Sequence, residues 1–389
     1  MKRFKKIVSI ALVATMVVAS LVGCGSKDKG AAEGGGETFK IGGIGPTTGG
    51  AAVYGQAVAN GAQIAVDEIN AAGGINGAQI ELKFEDDEHD AEKAVNAYNT
   101  LKDWGMQALL GTVTSTPCIA VVDKTNEDNM YQLTPSGTAV DAIKHDNAFR
   151  VCFSDPNQGV ASAAYIADEG IAQKVAVIYD SSDAYSSGIN ETFAAEAAAK
   201  GLEIVASEAF TAESNSDFSV QLQKAKDAGA ELVFLPFYYQ EASLVLKQAK
   251  DMEFNPIFFG CDGMDGILDV EGFDASLADG VRFLAPFSST ATDDMTVNFV
   301  EAYKKAHDEV PNQFAADAYD GIYIIKAAIE HAKLTPDMSV SELCEGMKKA
   351  MLEIKVDGVT AKALTWDESG EPQKEPMVLE IKDGVYNVL

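Results

Sequence analysis

Two short stretches carry hydroxyl groups in a setting suited to a carboxylate, and one acid is suited to an ammonium. The first stretch is Thr114-Ser115-Thr116-Pro117, between an apolar run from Ala108 to Val113 and a helical run through Ala120 and Val121. Thr116 reads as the N-cap and Pro117 as the first helical residue. A helix N-terminus with flanking hydroxyls is a ready place for an anion. The second stretch, Thr134-Pro135-Ser136-Gly137-Thr138, follows a strand over Met130 to Leu133, and sheet topology would set it beside the first. Ser115, Ser136 and Thr138 are therefore candidates for a bound carboxylate. Asp262, in Cys261-Asp262-Gly263, could accept a charge-assisted bond from an ammonium. Tyr54, Tyr185 and Tyr238 stand in or just after loops that follow strands, and a tyrosine offers an apolar face with a polar tip. Each feature taken singly has a plainer reading: the hydroxyls cap a helix, Asp262-Gly263 is a turn, and Gly45 to Gly50 is a glycine-rich turn.

Other chemistries lack their residues. His89, His145, His307 and His331 show no metal-ligand spacing, and there is no G-x-S-x-G elbow or C-x-x-C pair. Counting Gly43 and Gly45 as the first two glycines of a dinucleotide loop puts Thr48 at the third, and no Lys-Ser/Thr marks a phosphate loop. The acidic run Glu85 to Asp90 lacks the glycine of a calcium loop and reads as a solvated strand end, with weak cation binding the lesser alternative. No catalytic residue, metal or cofactor is expected. Lys plus Arg number 30 against 59 Asp plus Glu, a formal charge of −29 that repels nucleic acid.

The elements that must position these residues alternate. Phe39 to Ile41, Ile80 to Phe84 and Ala108 to Val113 read as strands, with a helix through Ala62, Val66 and Ile69 stopped by Gly73-Gly74. The pattern resumes with strands at Lys174 to Tyr179, Ile204-Val205, Glu231 to Phe237 and Ile257 to Phe259, separated by helices ending at Gly201 and Gly229. Two successive β-α-β blocks of this kind predict an α/β fold of mostly parallel, doubly wound sheets. The length, 389 residues, suits two or three domains at about 150 residues each. Phe149 to Pro156 and Ala285 to Ser288 read as crossings between the blocks. Three helices follow, around Phe299, from Phe314 to Ala332, and after the capping-box match Ser339-Val340-Ser341-Glu342; short strands close the chain.

The N-terminus reads as an address. Four cations precede an apolar run from Ile7 to Val22, too short for a comfortable membrane span, and residues 1–23 read as a secretory signal. Leu21-Val22-Gly23-Cys24 resembles a bacterial lipobox, which would make Cys24 the lipidated first residue; a plain signal peptide cut elsewhere is the alternative. Residues 24–37, rich in Gly, Ala, Ser and charge, read as a flexible tether.

In this order, Gly45-Pro46 through Tyr54-Gly55, Glu68-Ile69-Asn70-Ala71-Ala72-Gly73-Gly74, Thr134-Pro135-Ser136, Asp217-Phe218-Ser219 and Leu364-Thr365-Trp366-Asp367 carry a resemblance. The chain resembles the branched-chain-amino-acid-type (Leu/Ile/Val-binding-like) substrate-binding proteins of bacterial ABC transporters, with the type I periplasmic-binding fold. The resemblance implies two doubly wound lobes joined by three crossings, with 38–154 and 287–362 in lobe 1 and 155–286 and 363–389 in lobe 2. It implies that Ser115 and Thr138 hold the ligand carboxylate, that Ser136 contributes backbone contacts and that Asp262 binds the α-ammonium. Tyr54, Tyr185 and Tyr238 would surround the ligand and Phe314 line its side-chain pocket. A cysteine pair beside the pocket of some relatives is replaced here by His89 and Thr114. A monomeric, lipid-anchored extracytoplasmic receptor without enzymatic activity follows, with an α-amino acid as ligand, a membrane permease as partner and no cofactor. The same receptor fold tuned to an amide, urea or sugar, or a secreted α/β enzyme, are the alternatives.

Overall fold

The computed structural model describes residues 38–389. The expected signal segment, the tether and Cys24 lie outside the described residues. The first block runs β1 (Thr38–Gly45), α1 (Ala52–Ala71), β2 (Gln79–Asp86), α2 (Ala91–Trp104), β3 (Ala108–Gly111), α3 (Ser115–Glu127), β4 (Tyr131–Thr134) and β5 (Ala148–Arg150). Its strands form one parallel sheet in the order β2-β1-β3-β4-β5. The second block runs α4 (Asp155–Asp168), β6 (Lys174–Asp180), α5 (Ala184–Lys200), β7 (Glu203–Phe210), α6 (Ser219–Asp227), β8 (Leu232–Leu235), α7 (Tyr239–Asp251), β9 (Ile257–Gly260) and β10 (Arg282–Ala285). Three helices follow, α8 (Asp294–His307), α9 (Gln313–Ala332) and α10 (Val340–Met351), then the hairpin β11 (Met377–Lys382) and β12 (Val385–Val388). The second sheet has the order β12-β11-β10-β9-β8-β6-β7, parallel except at β11 and β12. The expected α/β class with mostly parallel sheets holds.

Both strand orders reverse direction once. In the first sheet the chain leaves β1 toward β2 and leaves β3 toward β4; in the second it leaves β6 toward β7 and β8 toward β9. Adjacent crossover helices then lie on opposite faces, and the loops between them part to leave a crevice at the carboxyl ends of the strands. The strands feeding those crevices, β3, β4 and β8, are buried on both faces, which is why β3 and β8 read as short continuous apolar runs.

The chain passes from β5 to α4 in four residues, and Asp155-Pro156, expected at the end of a crossing, opens α4. The crossing after β10 leads to α8. The last crossing differs from expectation. The boundary at 363 assigns residues 363–374 to the second lobe, yet Gly370 O accepts from Arg150 N at 3.2 Å and Trp366 Nε1 donates to Arg150 O at 2.8 Å. This segment stays on the β5 edge of the first sheet, and the chain joins the second sheet only at Met377. The physical reason is Lys374, a buried cation whose Nζ donates to Asp317 Oδ1 (2.6 Å), Thr360 Oγ1 (2.8 Å) and Val151 O (3.1 Å). Desolvating that charge is tolerable only with such partners, and they lie on α9, in the segment after α10 and in the first crossing.

α9 packs along α1 because Gly61 permits it: a Cβ there would lie 2.1 Å from the Ala315 carbonyl oxygen. This approach brings Tyr54 of α1 and Phe314 of α9 together, ring centroids 4.1 Å apart. Periodicity leaves α2, α4 and α7 unassigned. The capping-box match recovers α10, where Ser339 and Glu342 form that box. Cys118, Cys152, Cys261 and Cys344 are buried free thiols. Among the described residues no helix is long and apolar enough to cross a membrane.

Candidate functional site

The residues that could bind a ligand enter from the carboxyl ends of strands in both sheets. Ser115 opens α3 after β3, and Ser136 and Thr138 lie in the loop after β4. Here the structure corrects the expected cap. The helix begins at Ser115 with Thr114 as N-cap, so Pro117 is its third residue, and β3 ends at Gly111 rather than Val113. Freed from capping, Thr116 Oγ1 donates to Asp183 Oδ1 at 2.9 Å, across to the second block. Ser115 Oγ accepts from Ala139 N (3.1 Å) and lies 3.4 Å from Thr138 Oγ1, so the two expected hydroxyls do meet. Ser136 Oγ is used differently. It donates to Val113 O at 2.7 Å, as Thr134 Oγ1 does to Thr112 O, and these bonds fasten the two hydroxyl loops together.

On the opposite side Asp262 follows β9 and is buried, 5% exposed as a residue. Tyr185 Oη donates to Asp262 Oδ1 at 2.7 Å and accepts from Gly263 N at 2.9 Å. Burial pushes the Asp262 carboxyl up to about 6, and the Tyr185 hydroxyl bond opposes that rise. Two glutamines that the sequence does not single out hold the Asp262 backbone: Gln158 Oε1 accepts from its N–H at 3.0 Å, and Gln313 Nε2 donates to its carbonyl at 2.6 Å. Tyr54 Oη donates to Gly263 O at 2.5 Å, joining α1 to the β9 loop.

Tyr185 and Tyr238 stack with centroids 4.9 Å apart, and Tyr54 meets Tyr238 edge-on at 5.6 Å. These rings, with Val113, Thr114, Ser115, Ser136, Asp262, Gly263 and Phe314, line a hollow of only about 10 Å³. That is room for about one water, so an amino acid enters only if the two walls move apart. Seven of the eight expected binding residues line this hollow, and the eighth, Thr138, lies directly behind Ser115.

At the rim of the hollow two polar side chains pair. His89 Nδ1 lies 2.8 Å from Thr114 Oγ1, and the imidazole packs edge-on to Tyr238 at 5.3 Å. Beyond them is a second hollow of about 180 Å³, lined by Glu88, Asp180, Asp183 and Glu241 with Phe210 and Phe237. A larger one of about 410 Å³, beside Lys144, His145 and Glu368, holds none of the expected residues.

Asp155 is a further residue missed in the sequence, where Asp-Pro marks only a boundary. It is buried, its N–H donates to Thr138 O at 2.9 Å, and its Oδ1 has no protein partner. Burial raises its pKa well above the ordinary carboxylate value, opposed by the Thr138 hydroxyl and the Arg150 cation. Gln158 Nε2 is likewise buried without a partner. No periodic or motif signal marks either residue, because only the packing of α4 against both loops makes them neighbours of the site.

Residues 38–385 match the periplasmic binding protein family. The chain is 31% identical over 333 residues to the Leu/Ile/Val-binding protein homolog 3 of Brucella melitensis, covering 85% of this chain and 88% of that one. Among solved structures, it is similar to the branched-chain amino acid transporter substrate binding protein LivJ of Streptococcus pneumoniae in complex with isoleucine. That match has a TM-score of 0.82 and 30% identity over 91% of this chain and 99% of the other. A leucine binding protein, LivK, of Thermotoga maritima gives a TM-score of 0.81 at 25% identity, covering 90% and 98% of the two chains.

Proposed function

Because the chain belongs to the periplasmic binding protein family, a family of binding proteins rather than enzymes, we propose that it captures a branched-chain or similar apolar α-amino acid by hinge closure. The observation that carries this reading is the meeting of Ser115, Tyr185 and Asp262 around one hollow. Ser115, at the N-terminus of α3, and Thr138, in the loop after β4, would hold the carboxylate with neutral donors and the helix dipole. Asp262 would hold the ammonium, with Tyr185 keeping its carboxylate oriented. Tyr54, Tyr238 and Phe314 would cover an apolar side chain, and Ser136 would keep the two hydroxyl loops in register. The names of the similar proteins, with isoleucine and leucine among their ligands, support the same class.

Closure is the mechanism. The bonds Tyr54 Oη to Gly263 O and Thr116 Oγ1 to Asp183 Oδ1 join side chains of one block to the other, and they can form only when the two walls are shut. A ligand that contacts both walls adds differential affinity for the shut state and shifts the population toward it. The lobes are residues 38–154 with 287–362 and residues 155–286 with the final hairpin, the segment 363–374 moving with the first. The shut form would be presented to the permease of an ABC transporter by a monomeric, extracytoplasmic protein tethered through lipidated Cys24.

A thermal-shift screen of the twenty amino acids against sugars, urea and aliphatic amides tests the ligand class. Leucine, isoleucine or valine should raise Tm by several degrees at saturating concentration. A rise with a sugar or amide and none with any amino acid would discard the reading.

A further inference from the structure

Arg150 makes no appearance among the residues lining the hollow, yet it is fully buried and sits directly behind the hydroxyl pair. Its Nη1 donates to Gly137 O (3.1 Å) and Thr138 O (2.5 Å), and its Nη2 to Ala139 O (3.0 Å). Three consecutive carbonyl oxygens thus converge on one cation. In a trans, planar peptide the carbonyl and the next N–H point in opposite directions, so drawing Thr138 O toward the guanidinium turns Ala139 N–H the other way. That N–H is the one that donates to Ser115 Oγ. Ser115 Oγ thus accepts from Ala139 through one lone pair and keeps its own proton to donate.

The charge matters as well as the grip. The acid nearest Arg150 is Glu371, whose Oε1 is 3.2 Å from Nη2 but whose side chain is 32% exposed, so solvent weakens the pairing. Arg150 Nε has no partner, and Asp155, the other carboxylate facing the cation, has its pKa raised by burial. With Glu371 partly exposed and Nε without a partner, the positive potential is incompletely cancelled behind Ser115 and Thr138.

We propose that Arg150 is the positioning residue of the carboxylate half of the site: it locks the 137–139 turn so that Ala139 N–H and the Ser115–Thr138 hydroxyls present donors together, and its charge makes them select an ionised carboxylate over a neutral head group. This rests on the reading that Ser115 and Thr138 bind a carboxylate. Lysine in its place would keep a charge but could not span three carbonyls with a planar fork.

The test is calorimetry with L-leucine and L-leucinamide, which share the ammonium and side chain and differ in the head group. Arg150→Met should weaken leucine about 100-fold or more and leucinamide less than about tenfold, with Arg150→Lys in between. Glu371→Gln leaves the clamp in place and uncovers the cation, so leucine should tighten about two- to fivefold with leucinamide unchanged. Equal losses for both ligands in Arg150→Met, or an unchanged leucine-to-leucinamide ratio in Glu371→Gln, would reduce Arg150 to a structural residue. If Arg150→Met fails to fold, the ratio in Glu371→Gln decides alone. Ser115→Ala, run in parallel, separates the premise: if it costs leucine and leucinamide equally, the carboxylate reading fails whatever Arg150 does.

Discussion

The two walls of the site satisfy their polar groups in different ways. On the first-sheet wall, Ser115, Ser136, Thr138 and Arg150 bond mainly to loops of their own sheet, so the donors are held whether or not the walls meet. On the second-sheet wall a single buried carboxylate, Asp262, is fixed by Gln158 of α4, Tyr185 of α5 and Gln313 of α9. Two of those come from its own block and one from a helix packed on α1. The comparison teaches that a wall of neutral hydroxyls can be preorganised locally, whereas an unpaired buried acid depends on several elements and on pH.

Removing the acid should break the comparison hardest. Asp262→Ala should cost about 2 to 5 kcal/mol of leucine affinity, because it strands a buried ammonium; calorimetry showing unchanged affinity would exclude Asp262 from the site. On the other wall Ser115→Ala should cost less, about 1.5 to 3 kcal/mol, the worth of a hydrogen bond to a charged group. A Ser115→Ala loss exceeding that of Asp262→Ala would reverse the assignment of the charged and neutral walls.

The pH dependence should come from one wall only. Burial of the Asp262 carboxyl between the walls pushes it up to about 6, and an ammonium beside it favours the ionised form. Binding must then expel a proton below that pH, so affinity should be flat above about pH 7 and fall toward tenfold per unit as pH drops below 6. Titrations at pH 5, 6 and 8 in two buffers of different ionisation enthalpy check this, and in Asp262→Asn the slope across that window should vanish. The finest adjustment is Tyr185→Phe, which removes the bond to Asp262 Oδ1. It should lower leucine affinity by about 0.5 to 1.5 kcal/mol and move the pH midpoint upward, read from the same titrations.

The fold was more legible than the site. Apolar runs such as Ala108–Leu110 and Leu232–Leu235 announce buried parallel strands because burial on both faces demands apolar residues at every position. Helix starts were less so: Thr114, Ser115 and Thr116 are all acceptable caps, and the Thr116 bond to Asp183 that shifts the cap lies 67 residues away along the chain. α4 stayed hidden because its exposed Val160 and its buried Gln158, Ser162 and Asp155 blur the apolar period. Arg150 is the last residue of a strand, and nothing local says which carbonyls it will reach.

By itself the sequence determined the alternating elements, the acidic charge, and the identity of the hydroxyls, the acid and the tyrosines that could bind a zwitterion, all properties of residue type and short spacing. Tertiary structure alone decided that Ser115 and Asp262 share a hollow of about 10 Å³, that Gln158 and Gln313 hold the acid, and that residues 363–374 stay with the first sheet. Those outcomes depend on strand order, on the close approach of α1 and α9 at Gly61 and on buried partners for Lys374 and Arg150. Such contacts join residues far apart in the chain, and their free energy is defined only once the elements have packed.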